Sequence, residues 1–522
     1  MTFNRRQFLK TAAASSALCL GLATPALVRR AAVAAARGPA LEPLPWIDAT
    51  TSRAFHLSAM AGETEFVAGA PSSTLGFNRP YLGPVVRVRT GTEVAASVEN
   101  RTEVPISVHW HGLLVPGEAD GGPHHPIAPR EIWRPTLAID QAPATLWYHT
   151  HLHGETAPRV YAGLAGVLIV DDGKDPERGL PATAGVDDLV LVLQDKRFNA
   201  SGEAVYEPGN ADLMHGFLGE AIAVNGQLAP VATVPAGIVR LRLLNAANAR
   251  IFDLSFADGR SIALIATDQG LLAQPVTLSR LRLAPGERAE VLVDFGESGA
   301  TLMSEPHAET RGMMPMGGMM HGIVPVPETF TAAFPVLDFA VDASLPAAIR
   351  ILPATLDAAD AAIAPPVAMR SFVLNDMGMM MGGGGMMGGG MMGGGMMGGM
   401  MGGMMGGGSG GGAMPFGING QPFDMSRLDL EVAVGTTERW LVGGQMMGHP
   451  FHVHGVRFRV ESENGLPARP ENSGWKDTVL VEGEAALLVR FEHAAKAAKP
   501  FMIHCHILEH EDAGMMAQFA AT

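Results

Sequence analysis

The stretch HCHILEHEDAGMM, residues 504–516, carries the densest chemistry in the chain and constrains its fold. Alternate side chains of a β-strand point to opposite faces. In His504-Cys505-His506 the thiolate therefore leaves one face and both imidazoles leave the other. One face can build a mononuclear site and the opposite face a second metal cluster, joined through a few covalent bonds. His510 follows five residues after Cys505, and Met515 ten after it. A thiolate, imidazoles and a weak thioether are the ligand set of a blue-copper electron-transfer site. The arrangement is that of a conductor between two metal centres.

Three more histidine motifs occur: HWHG (109–112), HTHLHG (149–154) and HPFHVHG (449–455). Each H-x-H places two imidazoles on one face of a strand. A single pair is also found in zinc and cupin-like sites. Core histidines would not recur in four such motifs, split evenly between the two ends of the chain. The split implies that the N- and C-terminal parts meet and share a cluster at their interface.

At 522 residues the chain is too long for one hydrophobic core and has room for three domains. Its formal net charge of −15 argues against nucleic acid and suits a protein that attracts cations. Asn4-Arg5-Arg6-Gln7-Phe8-Leu9-Lys10 is a twin-arginine pattern, and an apolar run continues to about Val28. That run is marginal for a bilayer span, so residues 1–36 read as an export signal and no stable membrane anchor is expected. Small-residue cleavage sites lie near Ala26 and Ala36. The twin-arginine machinery exports folded proteins, which suits one assembled around metal. Of the two cysteines, Cys19 lies inside the signal, and Ser16-Ala17-Leu18 before it makes no convincing lipoprotein site. Cys505 is left alone, unable to form an internal disulfide, and its neighbours make it a ligand.

Most of the remaining sequence reads as short β runs divided by Gly, Pro, Asn and Asp turns, as in 85–102, 165–172 and 238–249. An all-β sandwich class follows. Three comparable modules are expected at about 42–175, 185–340 and 366–522; the middle one lacks a histidine motif and reads as a spacer. Within the third, residues 377–405 are methionine and glycine only, and the Gly-rich insert runs on to 412. A smaller patch is GMMPMGGMMH (312–321). Glycine costs about 1 kcal/mol per residue in a helix interior, so a flexible insert is expected rather than a helix.

The four motifs, in this order and spacing, resemble those of the multicopper oxidase family across about 42–522. The finer resemblance is to bacterial copper-efflux (cuprous) oxidases and bacterial laccases. It implies three cupredoxin-like Greek-key β-sandwich domains and four copper ions. By motif, the type 1 copper would take His449, Cys505 and His510, with Met515 axial. Methionine at that position implies a lower potential than a leucine or phenylalanine would. Type 2 copper would take His109 and His452. The binuclear type 3 pair would take His111, His149, His151, His454, His504 and His506. Ten of the eighteen histidines are then used. His153 is expected to hydrogen-bond beside the cluster. Asp120, in a turn-forming Asp-Gly-Gly, and Glu511 match acidic residues linked to proton delivery.

The resemblance also implies O2 as oxidant, Cu(I) or a phenol (or Fe(II)) as donor, a periplasmic location and a monomer. Thioethers are soft and favour Cu(I), so the insert can capture cuprous ions, shield the type 1 site, or serve only as a solvated spacer. Met447 matches a methionine of the cuprous substrate site. Gln445 stands where that type has an aspartate, and Asp376 is a conceivable substitute. Some relatives of this family have lost their coppers and serve structural or division roles; here every ligand position is filled. A copper buffer would bind more than four coppers and keep doing so after Cys505→Ser.

Overall fold

The computed structural model describes residues 38–296, 298–306, 328–356, 363–375, 416–444 and 447–522. The signal segment (1–36), the 312–321 patch, Asp376, the insert 377–412 and Gln445 lie outside them. The strand Thr92–Asn100 shows how the pattern makes sheet: Val94, Ala96 and Val98 are buried on one face, while Glu93 and Ala95 are exposed on the other. Hairpins close where the sequence supplies left-handed residues. Asn225-Gly226 has φ of 52° and 83°, and Asn419-Gly420 has 55° and 73°, so both are two-residue turns matched to strand twist.

The strands form three pairs of sheets. A four-stranded sheet, ordered Trp46–Asp48, Val85–Arg89, Ala165–Asp171, Ala144–His149, shares a core with a five-stranded sheet containing Ala54–Val67 and Thr92–Asn100. Seven strands around Ile238–Asn245 and Arg288–Asp294 enclose a second core with a five-stranded sheet that includes Phe252–Phe256. Six strands around Thr437–Gly444 and five including His449–Val453 and Phe501–Cys505 enclose the third. The fold is all-β and cupredoxin-like. Among the described residues no helix is long and apolar enough to cross a membrane.

Packing between the sandwiches positions the site. Tyr81, Trp147, Val167 and Ile169 of the first pack on Val190, Val192 and Leu244 of the second. Each such large side chain stabilises by about 2 kcal/mol. The third reaches its neighbours through Ala157, Val160 and Leu508, and through Ile251, Ala284 and Leu480. Ile238–Asn245 is buried along its whole length, so its charges must be paired. Arg242 donates to Asp188 at 2.8 Å and to Glu290 at 3.0 Å. Burial pushes the Glu290 carboxyl up, but Arg240 and Arg242 together pull it down to about 2.

Candidate metal centre

Strand pairing delivers the histidines. His109 and His149 bridge the first sandwich's loops through reciprocal backbone hydrogen bonds of 2.8 and 3.1 Å. In the third sandwich His452 lies opposite His504, and Phe451 lies opposite Cys505. Alternation then separates two regions. His452, His454, His504 and His506 meet the first sandwich's histidines, while Cys505 points into the third core.

Four sets of donors converge within 4.8 Å: His109, His452 and His454; His111, His149 and His506; His151, His454 and His504; and His449, Cys505 and His510. All ten imidazoles are buried. Burial, then repulsion by neighbouring rings, holds His149, His151, His454 and His506 well below the usual histidine range. His111 is also pushed well down, by burial first. Neutral rings keep a nitrogen lone pair free.

Hydrogen bonds at the far nitrogens aim those lone pairs inward. His454 Nδ1 donates to Asp120 Oδ2 at 2.9 Å, and His504 Nδ1 donates to the Cys505 carbonyl at 3.0 Å. Their Nε2 atoms nonetheless sit 3.2 Å apart, and His151 Nε2 is also 3.2 Å from His504 Nε2. With their Nδ1 protons so committed, His454 and His504 turn bare Nε2 lone pairs toward each other, a pair preset for a cation. His149 donates through Nδ1 to the Thr150 carbonyl at 2.8 Å, leaving its Nε2 buried without a partner. His111 has the reverse arrangement, with Nε2 held and Nδ1 left free. His452 Nδ1 donates to the Asp477 carbonyl at 2.9 Å, and its Nε2 lies 3.5 Å from His109 Nε2.

At the thiol, Sγ of Cys505 is 3.5 Å from His449 Nδ1 and 3.8 Å from His510 Nδ1. Burial pushes this thiol far up, so it ionises only against a cation. Met515 is fully buried here; its carbonyl accepts from Cys505 N–H at 3.1 Å, and its N–H donates to the His510 carbonyl at 2.9 Å. His510 donates through Nε2 to the Met214 carbonyl at 3.1 Å and stacks on Phe416. The short helix Leu508–Asp512 that carries His510 is held from two sides. Glu509 accepts from Asn248 (2.8 Å), Tyr206 (2.9 Å) and the Phe217 N–H (3.0 Å). Asp512 accepts from the N–H groups of Thr156 (3.0 Å) and Ala157 (2.8 Å). Met447 is half-buried against the third core.

The two acids flank the cluster. Asp120 Oδ1 lies 3.5 Å from His109 Nδ1, while Oδ2 accepts from His454. Burial works against its charge, but His109 draws the carboxyl below its usual range. Glu511 places its oxygens 3.3 Å from His151 Nδ1 and 3.2 Å from His504 Nδ1, too obliquely for regular hydrogen bonds.

Three features were not anticipated. His153 makes no hydrogen bond through its buried Nδ1; it packs edge-on against Phe423 at 5.0 Å, because the turn after His151 carries it away from the cluster. Asp477 accepts from His111 Nε2 at 3.1 Å and fixes His452, although only the charged pair Lys476-Asp477 beside apolar Trp475 and Val479 hints at it. Asp477, His111 and His452 could by themselves hold a metal, but Arg288 already occupies both carboxylate oxygens at 2.7 and 2.6 Å. Arg288 belongs to the middle module, which is therefore more than a spacer.

Known proteins share this plan. Profiles of the multicopper oxidase family match residues 59–175, 170–303 and 399–522. The cell division protein FtsP of Dickeya dadantii (strain 3937) is 35% identical over 522 residues, covering 100% of this chain and 99% of that protein. FtsP of Escherichia coli (strain K12) is 34% identical over 524 residues, covering 99% and 98%. Among solved structures, the laccase-like multi-copper oxidase CueO from the lignin-degrading bacterium Ochrobactrum sp. is 39% identical, covering 92% of this chain and 100% of that one, with a TM-score of 0.78. A multi-copper oxidase from Pediococcus acidilactici is 30% identical, covering 93% of each chain, with a TM-score of 0.73. Sulfur and inward-facing imidazole lone pairs are a donor set that suits copper. With its motifs, its three sandwiches and relatives that span it from end to end, the chain belongs to the multicopper oxidase family.

Proposed function

We propose that this chain is an exported multicopper oxidase that couples one-electron oxidation of Cu(I) to four-electron reduction of O2 to two waters, and so confers copper tolerance. The observation that carries the reading is the convergence of buried imidazoles from both ends of the chain, several of them tied at the outer nitrogen so that the other nitrogen faces its neighbours. His449, Cys505, His510 and Met515 would hold type 1 copper. His109 and His452 would hold type 2, and the two triads would hold the type 3 pair. When bound, the coppers take electrons singly from the donor and supply four together to O2.

The chain's residues do the rest. Cys505 is bonded directly to His504 and His506, which belong to different triads, so the path from thiol to cluster is covalent. Asp120 holds the proton at the outer nitrogen of His454, and Glu511 lies 3.3 and 3.2 Å from the outer nitrogens of His151 and His504; these two acids would relay the four protons the reaction consumes. Met447 and the insert would receive the cuprous ion. The twin-arginine segment would direct the protein to the periplasm, where it would act as a monomer without nucleic-acid partners.

Oxidation of phenols is the second reading, favoured by the Ochrobactrum relative, whose reported oxidase activity is towards lignin model compounds and lignosulfonate; Fe(II) is a further donor of this kind. The full-length FtsP relatives also allow a cell-division role. Oxygen uptake by copper-loaded protein, with Cu(I) or a phenol as sole donor and with or without residues 377–412, separates these. Rapid uptake with Cu(I) that collapses on deletion supports the cuprous reading. Slow uptake unchanged by deletion moves the assignment to phenols. Failure to take up copper leaves only the division role.

A further inference from the structure

We propose that Arg288, from the middle sandwich, is a positioning residue for the His111–His149–His506 triad. The inference rests on the copper assignment above. Arg288 is completely buried, and each of its five N–H groups has an acceptor. Nε donates to the Thr145 carbonyl at 3.2 Å. Nη1 donates to the Gly286 carbonyl at 2.9 Å and to Asp477 Oδ1 at 2.7 Å. Nη2 donates to the Asp268 carbonyl at 3.0 Å and to Asp477 Oδ2 at 2.6 Å.

Three of these four acceptors lead to different members of one triad. Asp477 accepts from His111 Nε2 at 3.1 Å, which leaves Nδ1 as the free lone pair. Thr145 lies in Ala144–His149, the strand that ends in His149. Gly286 lies against the ring of His506: a Cβ there would approach within 2.8 Å of the imidazole, and the residue has a φ of 85°. His506 has no hydrogen bond at either ring nitrogen, so packing alone orients it. A planar guanidinium can hold these directions together, whereas an ammonium, with three donors at one point, cannot. In the other triad, His454 is held by Asp120 and His504 by the Cys505 carbonyl, with Glu511 beside His151 and His504.

The test compares copper-loaded wild type, Arg288→Lys, Arg288→Met and a control, Arg250→Lys. The control removes a buried guanidinium that pairs with Asp195 at 2.8 Å and touches no candidate ligand. Readouts are copper per chain, the blue thiolate-to-copper absorption, and the near-ultraviolet band of the coupled type 3 pair. Loss of an outer support typically weakens metal affinity by about 10- to 100-fold. We expect both Arg288 variants to lose the type 3 band and part of their copper while the blue absorption and the control stay unchanged. Variants with the wild-type band and full copper overturn the proposal. Parallel loss of the blue absorption, or the same loss in Arg250→Lys, overturns it as well, because the effect is then general to the fold. A wild-type chain that binds no copper refutes the copper assignment, a result separable from unaffected variants beside a loaded wild type.

Discussion

Asp120→Asn isolates what one buried carboxylate does for the cluster. Asp120 is 1% exposed, and its two oxygens face His454 Nδ1 at 2.9 Å and His109 Nδ1 at 3.5 Å. The amide is nearly the same shape, but one oxygen becomes an NH2 group directed at a ring N–H. A buried donor facing a donor costs about 1–3 kcal/mol, so copper affinity at this end should fall about 10- to 100-fold. Excess copper restores occupancy and removes that part of the defect. The second part does not recover. Loss of a positioned acid–base group should lower turnover by about 10²–10⁴-fold. Oxygen uptake at saturating donor, measured on protein shown by metal analysis to be fully loaded, separates the two effects. Fully loaded Asp120→Asn with turnover within about twofold of wild type would refute the proton-delivery role, since a working acid of this kind contributes far more.

Glu511→Gln should behave similarly through His151 and His504, with turnover down about 10²-fold or more at full copper loading in the same assay. Cys505→Ser should abolish the blue absorption and donor-driven oxygen uptake while the near-ultraviolet band of the triads persists; loss of both signals would argue against two separate sites. The copper-free protein should be acid-labile. Burial lowers His452 from 6.5 to about 4, so below pH 6.5 the unfolded chain takes up a proton that the folded chain refuses. This contribution is fully present above pH 6.5 and is lost as the pH falls towards 4; at about 1.4 kcal/mol per unit it amounts to about 3 kcal/mol. Denaturant midpoints of the copper-free protein at pH 8 and pH 5 test it, and equal midpoints would contradict the burial argument.

Local pattern accounts for much of this protein. H-x-H spacing places both imidazoles on one strand face wherever a strand forms, and the alternation in Thr92–Asn100 or the Asn-Gly turns needs no distant partner. The class of fold and the set of histidines brought together follow from such short-range rules. The choice of nitrogen that each ring presents does not, because it depends on a hydrogen bond at the far side of the ring. His111 turns its Nδ1 inward only because Asp477, 366 residues away, holds its Nε2. Asp477 can stay charged without solvent only because Arg288, 189 residues from it, satisfies it. His153 had the same local credentials as His149 and His151, yet the chain's path leaves it against Phe423. Sequence alone determined the sandwiches, the donor residues and their grouping on strand faces. The triad geometry, the inward lone pairs and the middle module's part in them were decided only by tertiary structure, where buried charges and ring nitrogens must find partners that no sequence window contains.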